Sequence, residues 1–285
     1  MTTPTDSIRV HLPAIAILGA GSMGRAILNG LLKPGVEVAG GIRATNRSRT
    51  RAEELADTEG VLSFATEDDR DANRRAVAHA GIVLVAVKPH LVPDLLAEIA
   101  DALEPGTLVI SVAAGVPAAT FERLLPERVS VIRSMPNTPA VVGLAVTGIS
   151  AGSRSSADDL AVARSLFETV GEVVEVPESQ LDALSTISGS GPAYVFYLIE
   201  QLTAAALDKG FTAEQAALLV NGTFRGAAEL LAASDAAPAE LRRQVTSPHG
   251  TTERAVQVLE TAGLHDLFTR ATDAALARAR ELAAG

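Results

Sequence analysis

With 285 residues, 47% of them apolar, the chain is long enough for two domains with packed cores. A formal net charge of −10 argues against a surface that gathers nucleic-acid phosphates or anionic lipid. Zero cysteines exclude a disulfide framework, a thiolate nucleophile and a cysteine-ligated metal, which suits a reducing cytoplasm.

Residues 1–12 have neither a basic start with a long apolar core nor a small-residue cleavage site, so they are expected to be a disordered tail without a secretory signal. From Ala14 to about Val176, the apolar runs "AIAIL", "VEVAGGI", "GIVLVAV", "TLVISV", "VSVI" and "EVVEV" alternate with helical patterns. This alternation predicts a parallel sheet with crossover helices over residues 1–176. Leu91, Leu95, Leu96, Ile99 and Leu103 recur at helical spacing, as do Leu160, Ala163, Phe167 and Val170. Ser134 to Ser153 is uncharged, but Pro136, Pro139, Gly143, Gly148 and Gly152 interrupt it, and no membrane span is expected.

The first strand runs directly into Gly19, Gly21 and Gly24, at the mouth of a helix carrying Ile27, Leu28, Leu31 and Leu32. That is the context of a dinucleotide-binding turn: Gly19 permits a tight bend, Gly21 admits a pyrophosphate to the backbone, and Gly24 lets the helix close on the strand. Some twenty residues on, where folds that bind NADH carry an acidic residue, the window reads "IRATNRSR". Arg43, Arg47 and Arg49 offer cations there and Asn46 an amide, chemistry suited to a 2′-phosphate, so NADPH is favoured with NADH as the lesser alternative. Spacing does not decide which arginine reaches the ribose. Two later strand ends, "LVAVKPH" with Lys88 and Pro89 and "VISVAAGV", offer places where a flat cofactor can lie against backbone.

After Val176 the strand signal ends, and helices are expected near 178–187, 191–209, 212–233, 239–245, 252–261 and 264–283. Residues 177–285 thus read as an all-helical second domain. Its segments "AYVFYLIEQLTAAAL" and "EQAALLVNGTFRGAAELLAA" are apolar on more than one face, which implies burial on two sides. Exchange of helices in a homodimer, or burial against the first domain, would satisfy them. Near the end, "TSPHGTT" (246–252) puts a Pro-Gly break and four hydroxyls before a helix carrying Glu253 in its first turn. The stretch can cap that helix, or hold a carboxylate on its orphan N–H groups. No cluster of His, Asp and Glu points to a metal.

Taken together, "LGAGSMG", "TNR", "AVKP", "SVAAG", "RSMPNTPA", "SGSGPAY" and "VTSPHGTT" resemble, in order and spacing, the pyrroline-5-carboxylate reductase family over Ala14 to Glu281. The resemblance implies an α/β architecture: an N-terminal Rossmann-like dinucleotide-binding domain and a C-terminal all-helical dimerisation domain. The implied reaction is NAD(P)H-dependent reduction of 1-pyrroline-5-carboxylate to proline, in a cytoplasmic homodimer or an oligomer of dimers. The implied cofactor contacts are Leu18, Gly19, Ala20, Gly21, Ser22, Met23 and Gly24, then Asn46, Arg47 and Asn73, then Ala86, Val87, Lys88 and Pro89, and Ala113, Ala114 and Gly115. The implied substrate contacts are Ser247, Gly250, Thr251 and Thr252, with Ser188 supporting the pocket and Thr252 as the catalytic hydrogen-bonding group. Related hydroxyacid dehydrogenases use a lysine on the helix after their substrate glycines, and here none occurs before Lys209, which favours imine over carbonyl reduction. The family commonly has glycine where His249 stands, so the turn is expected to differ locally or His249 to reach the pocket.

Overall fold

A computed structural model of the chain describes residues 10–284. The fold divides into two compact units: one takes in the chain up to Gly189 with the stretch from Leu276, the other is Ser190–Ala275.

The first unit is built on β1 (Val10–Leu12), β2 (Ile15–Leu18), β3 (Val36–Val38), β4 (Ile42–Asn46), β5 (Val61–Ala65), β6 (Ile82–Val85), β7 (Leu108–Ser111), β8 (Ser130–Met135), β9 (Ala145–Ala151) and β10 (Gly171–Glu175). Eight of them form one sheet in the order β5-β4-β2-β6-β7-β8-β9-β10. From β5 to β8 all neighbours are parallel, in the doubly wound order that reverses between β2 and β6. Along β2 the side chains alternate between two cores: Ile15 and Ile17 meet Ile27, Leu28 and Phe167 on one face, while Ala16 and Leu18 meet Leu96, Ile99 and Phe121 on the other. The covering helices are α1 (Ser22–Leu31), α2 (Arg49–Glu53), α3 (Ala72–Val77), α4 (Val92–Ile99), α5 (Ala118–Leu124), α6 (Ala157–Glu168) and α7 (Glu178–Leu184). Ser156 starts α6 with a capping box to Asp159.

Four features depart from the sequence expectation. Val10–Leu12, counted with the tail, pairs in parallel with Val36–Val38. "VEVAGGI" is two strands in two sheets, because Gly40 and Gly41 take left-handed backbone between them. β5 completes the far edge of the sheet without having been anticipated. The sheet is not wholly parallel: β9 returns antiparallel to β8. Its Gly148 leaves no room for a Cβ, which would lie 2.6 Å from Leu184 Cδ1, and this lets α7 settle directly onto the strand.

The expected boundary at Val176 does not coincide with the division at Gly189. Arg133 on β8, 9% exposed at its side chain, is 2.6 Å from the Asp182 carboxylate and 3.4 Å from that of Glu178, and Glu178 also accepts the N–H of Ala118 at the start of α5. These bonds fasten α7 to the sheet. A π-helical turn, Ser185–Gly189, then closes the first of the two stretches that make up the unit.

The second unit contains α8 (Gly191–Asp208), α9 (Ala213–Ala232), α10 (Pro238–Gln244) and α11 (Thr251–Thr261), and most of α12 (Leu264–Ala284). Thr212 and Gln215 form a capping box for α9. No residue of α8 is buried: Phe196 is 61% exposed, and on α9 Leu218 is 75% exposed. The apolar faces that the sequence leaves without polar cover remain open in the single chain. No helix among the described residues is long and apolar enough to cross a membrane.

Candidate active site

The carboxyl ends of β4, β2, β6 and β7 stand side by side, and each bears one of the loops singled out in the sequence. At the end of β2 the N–H groups of Gly19 and Ala20 both donate to the Thr45 carbonyl on β4, while Ala86 N–H after β6 donates to Leu18 O. Val112 N–H continues the row by donating to Val85 O. Leu18, Asn46, Ala86 and Ala113 are thereby brought to one edge of the sheet, at the crevice where the strand order reverses.

The three glycines do different physical work. Gly19 sits at φ +90°, and a Cβ there would be 2.9 Å from Val87 and 3.1 Å from the Ala86 backbone. A Cβ on Gly24 would be 2.7 Å from the Gly19 carbonyl oxygen and 3.3 Å from Ile17, so α1 can close on β2 only without one. Gly21, the residue before α1, has nothing within 4 Å of its Cβ position, and no side chain caps the helix. The result is open space over a helix N-terminus, whose uncapped N–H groups and positive dipole end suit a pyrophosphate. Ser22 is exposed, Met23 half-buried and Ala20 buried. The residues fit a dinucleotide.

Tertiary structure separates the arginines that spacing left equivalent. Arg43 donates to the carbonyls of Ala76 and Ala78 at the end of α3. Arg49 forks onto Asp68 at 2.9 and 2.6 Å, and this hydrogen-bonded guanidinium holds the Asp68 carboxyl below its usual range. Arg47 is exposed, and although its carbonyl accepts the N–H of Glu67, its guanidinium has no hydrogen bond or ion pair among the described residues. It is the cation of the three left for an added phosphate. Asn46 is buried, with its amide 3.4 Å from Arg51 O. Asn73, at the start of α3, donates to Glu98 at 3.1 Å. Lys88 and Pro89 are exposed after β6; Ala113 is buried and its N–H donates to Ser111 Oγ; Ala114 is exposed and Gly115 turns the chain at φ +75°.

In the second unit, the Thr246–Gly250 turn enters α11 through Gly250, at φ −82° and without any side-chain cap. A Cβ on Gly250 would be 2.5 Å from Ser247 Oγ and 3.0 Å from the Ser247 carbonyl oxygen, so a larger residue here would have to push the hydroxyl aside. His249 adopts φ +59°, a left-handed conformation that glycine takes without strain, and its N–H donates to Glu253 at 3.0 Å. Glu253 therefore serves the turn's backbone. The hydroxyls of Ser247, Thr251 and Thr252 are exposed and have no partner among the described residues.

Two family models match the chain: "Pyrroline-5-carboxylate reductase dimerisation" over residues 178–282 and "NADP oxidoreductase coenzyme F420-dependent" over residues 14–115. A pyrroline-5-carboxylate reductase of Pseudomonas aeruginosa is 39% identical over 95% of this chain and 97% of its own, and one of Corynebacterium melassecola is 36% identical over 95% and 99%. This chain belongs to the pyrroline-5-carboxylate reductase family. A pyrroline-5-carboxylate reductase structure from Coxiella burnetii superposes with a TM-score of 0.86 at 38% identity, over 94% of this chain and 97% of that one. A Plasmodium falciparum pyrroline carboxylate reductase with NADP bound shares the fold, with a TM-score of 0.77 at 24% identity, over 95% of this chain and 98% of that one.

Some positions escaped sequence reasoning. Thr45 anchors the glycine turn through its carbonyl, a role no side-chain signal announces. Asn137, in the stretch "RSMPNTPA", carries no local signal of a role; it is buried and joins two separate backbone groups, Val146 N–H and Ser188 C=O, each at 2.9 Å. Ser188 itself belongs to the π-turn in the first unit, where its hydroxyl bonds Leu184 O at 3.3 Å.

Proposed function

We propose that this protein reduces 1-pyrroline-5-carboxylate to L-proline in the cytoplasm, with NADPH as the preferred hydride donor and NADH as a poorer one. The observation that carries the reading is kinship along nearly the whole chain with named pyrroline-5-carboxylate reductases, joined to a glycine turn that leaves open space over an uncapped helix start. Bound NADPH would supply the hydride for the ring C=N bond.

The protein's own part is positioning and electrostatics. Gly19, Gly21 and Gly24 shape the pyrophosphate seat, and Arg47 answers the 2′-phosphate. Ser247 Oγ and the first-turn N–H groups of α11 at Thr251 and Thr252 grip the substrate carboxylate, a use favoured by the missing cap. The Thr252 hydroxyl hydrogen-bonds the ring nitrogen, which can arrive already protonated, so no strong protein acid is required. Residues 177–285 form the substrate and dimerisation segment. Dimerisation, and assembly of dimers into a larger oligomer, covers the open apolar faces of α8 and α9.

The test is NADPH oxidation with 1-pyrroline-5-carboxylate, followed by detection of proline. Thr252→Ala is expected to lower kcat/KM by about 10²-fold or more while leaving NADPH affinity nearly intact, the usual cost of one preorganised donor. Wild-type turnover in that variant would remove Thr252 from the mechanism.

A further inference from the structure

The loops assigned to the dinucleotide run along one sheet edge from β4 through β2 and β6 to β7. With strands about 4.8 Å apart, those four ends span roughly 14 Å, and a dinucleotide with its 2′-phosphate at Arg47 and its pyrophosphate at the β2 glycines would carry its nicotinamide toward the β7 end. The next position on the same edge is the carboxyl end of β8, which is parallel to β7 and extends past it: Arg133 pairs with Ser111, and Ser134 Oγ donates to Ser111 O at 2.7 Å. Met135, Pro136 and Asn137 follow. A hydride acceptor facing a nicotinamide at that end would have this position as a neighbour.

The π-turn Ser185–Gly189 is what the chain brings there. Gly189 lies so close to Met135 that an added Cβ would be 3.3 Å from its Cε, and Asn137 Nδ2 donates to the Ser188 carbonyl at 2.9 Å. The other end of the same amide, Oδ1, accepts Val146 N–H at 2.9 Å where β9 begins. One planar group thus supplies a donor to one backbone and an acceptor to another, 51 residues and 9 residues away. Aspartate lacks the donor, and serine or threonine is too short to meet both partners at once. A π-helical turn is an irregular, costly element, found often where a site requires it.

We infer that Asn137 is a positioning residue for the hydride acceptor: its amide clamps the Ser185–Gly189 turn against the end of β8, where the turn forms a wall of the acceptor pocket. The inference rests on the reading of the protein as a cyclic-imine reductase. Asn137 is not in the path of hydride or proton; it acts through the turn.

Asn137→Asp retains the acceptor for Val146 and sets an oxygen against the Ser188 carbonyl. With a displaced pocket wall, KM for the imine acid should rise tenfold or more and kcat/KM fall toward ~10²-fold, while the NADPH dissociation constant stays within about twofold. A folded variant with wild-type KM and kcat, or one losing NADPH affinity in equal measure, would overturn the clamp. Asn137→Gln keeps both hydrogen-bonding groups but displaces them, and carries the same test should the aspartate variant fail to fold. Independently of any variant, a wild-type crystal with NADP⁺ and L-proline should show the ring touching the Ser185–Gly189 turn; a ring lying a full strand spacing away refutes the assignment. Wild-type protein that binds NADPH but reduces no cyclic imine would instead overturn the underlying reading, and the inference with it.

Discussion

Replacing Gly21 and Gly24 separately by alanine should divide binding from stability. At Gly21 the backbone has φ −75° and the Cβ position is empty to 4 Å, so alanine costs the fold only about 0.5–1 kcal/mol, the usual loss at a helix N-cap. Into that empty space, however, the pyrophosphate must come. A methyl there should weaken NADPH binding at least tenfold, or ~1.4 kcal/mol. At Gly24 the new methyl would stand 2.7 Å from the Gly19 carbonyl oxygen and 3.3 Å from Ile17. The oxygen must retreat by roughly 0.7 Å or more to reach ordinary contact, and such overpacking costs about 1–3 kcal/mol. Better helix propensity returns up to about 1 kcal/mol, leaving a net loss of up to about 3 kcal/mol. The chain has no tryptophan, so circular dichroism is the measure of unfolding and the enhancement of NADPH fluorescence the measure of binding. Wild-type NADPH affinity in Gly21→Ala would show that no phosphate approaches that backbone, and the account of the site would fail at its first step.

Arg47→Ala should reduce kcat/KM with NADPH by about 10- to 100-fold, the scale of one charged hydrogen bond, while leaving the NADH reaction nearly unchanged. Arg49→Ala, whose guanidinium already serves Asp68, should alter the NADPH/NADH ratio far less; equal effects would mean that Arg47 is not the discriminating cation. Leu218→Asp places a charge on the open apolar face of α9 and should convert the proposed dimer to monomer in light scattering, with loss of activity. A dimer unchanged by that charge would place the interface elsewhere.

Much of this architecture was legible because its signals are local. The strand, glycine turn and helix at residues 14–32 follow from side-chain period and from backbone angles only glycine takes cheaply, and the helices of the second unit begin and end within a few residues of the sequence expectation. Where local signals were weak, the expectation fell short. β9 carries glycine inside a strand, a poor local strand signal, yet packing against Leu181 and Leu184 requires that gap. The C-terminal turn was foreseen as a possible cap, but whether its hydroxyls were engaged depended on which side chains arrived from elsewhere.

By itself, the order and chemistry of the residues determined the glycine seat, the two kinds of architecture in series and the apolar helices that demand a second surface, since each follows from neighbours a few positions apart. Only tertiary structure decided that Arg47 and not Arg43 or Arg49 is free, that Arg133 binds α7 to the sheet, and that Asn137 grips the turn at Ser188. Arg133 and Asn137 each bond a partner about fifty residues away. A hydrogen bond of that kind is set by the meeting of two chain segments in space, and no periodicity within either segment encodes the meeting.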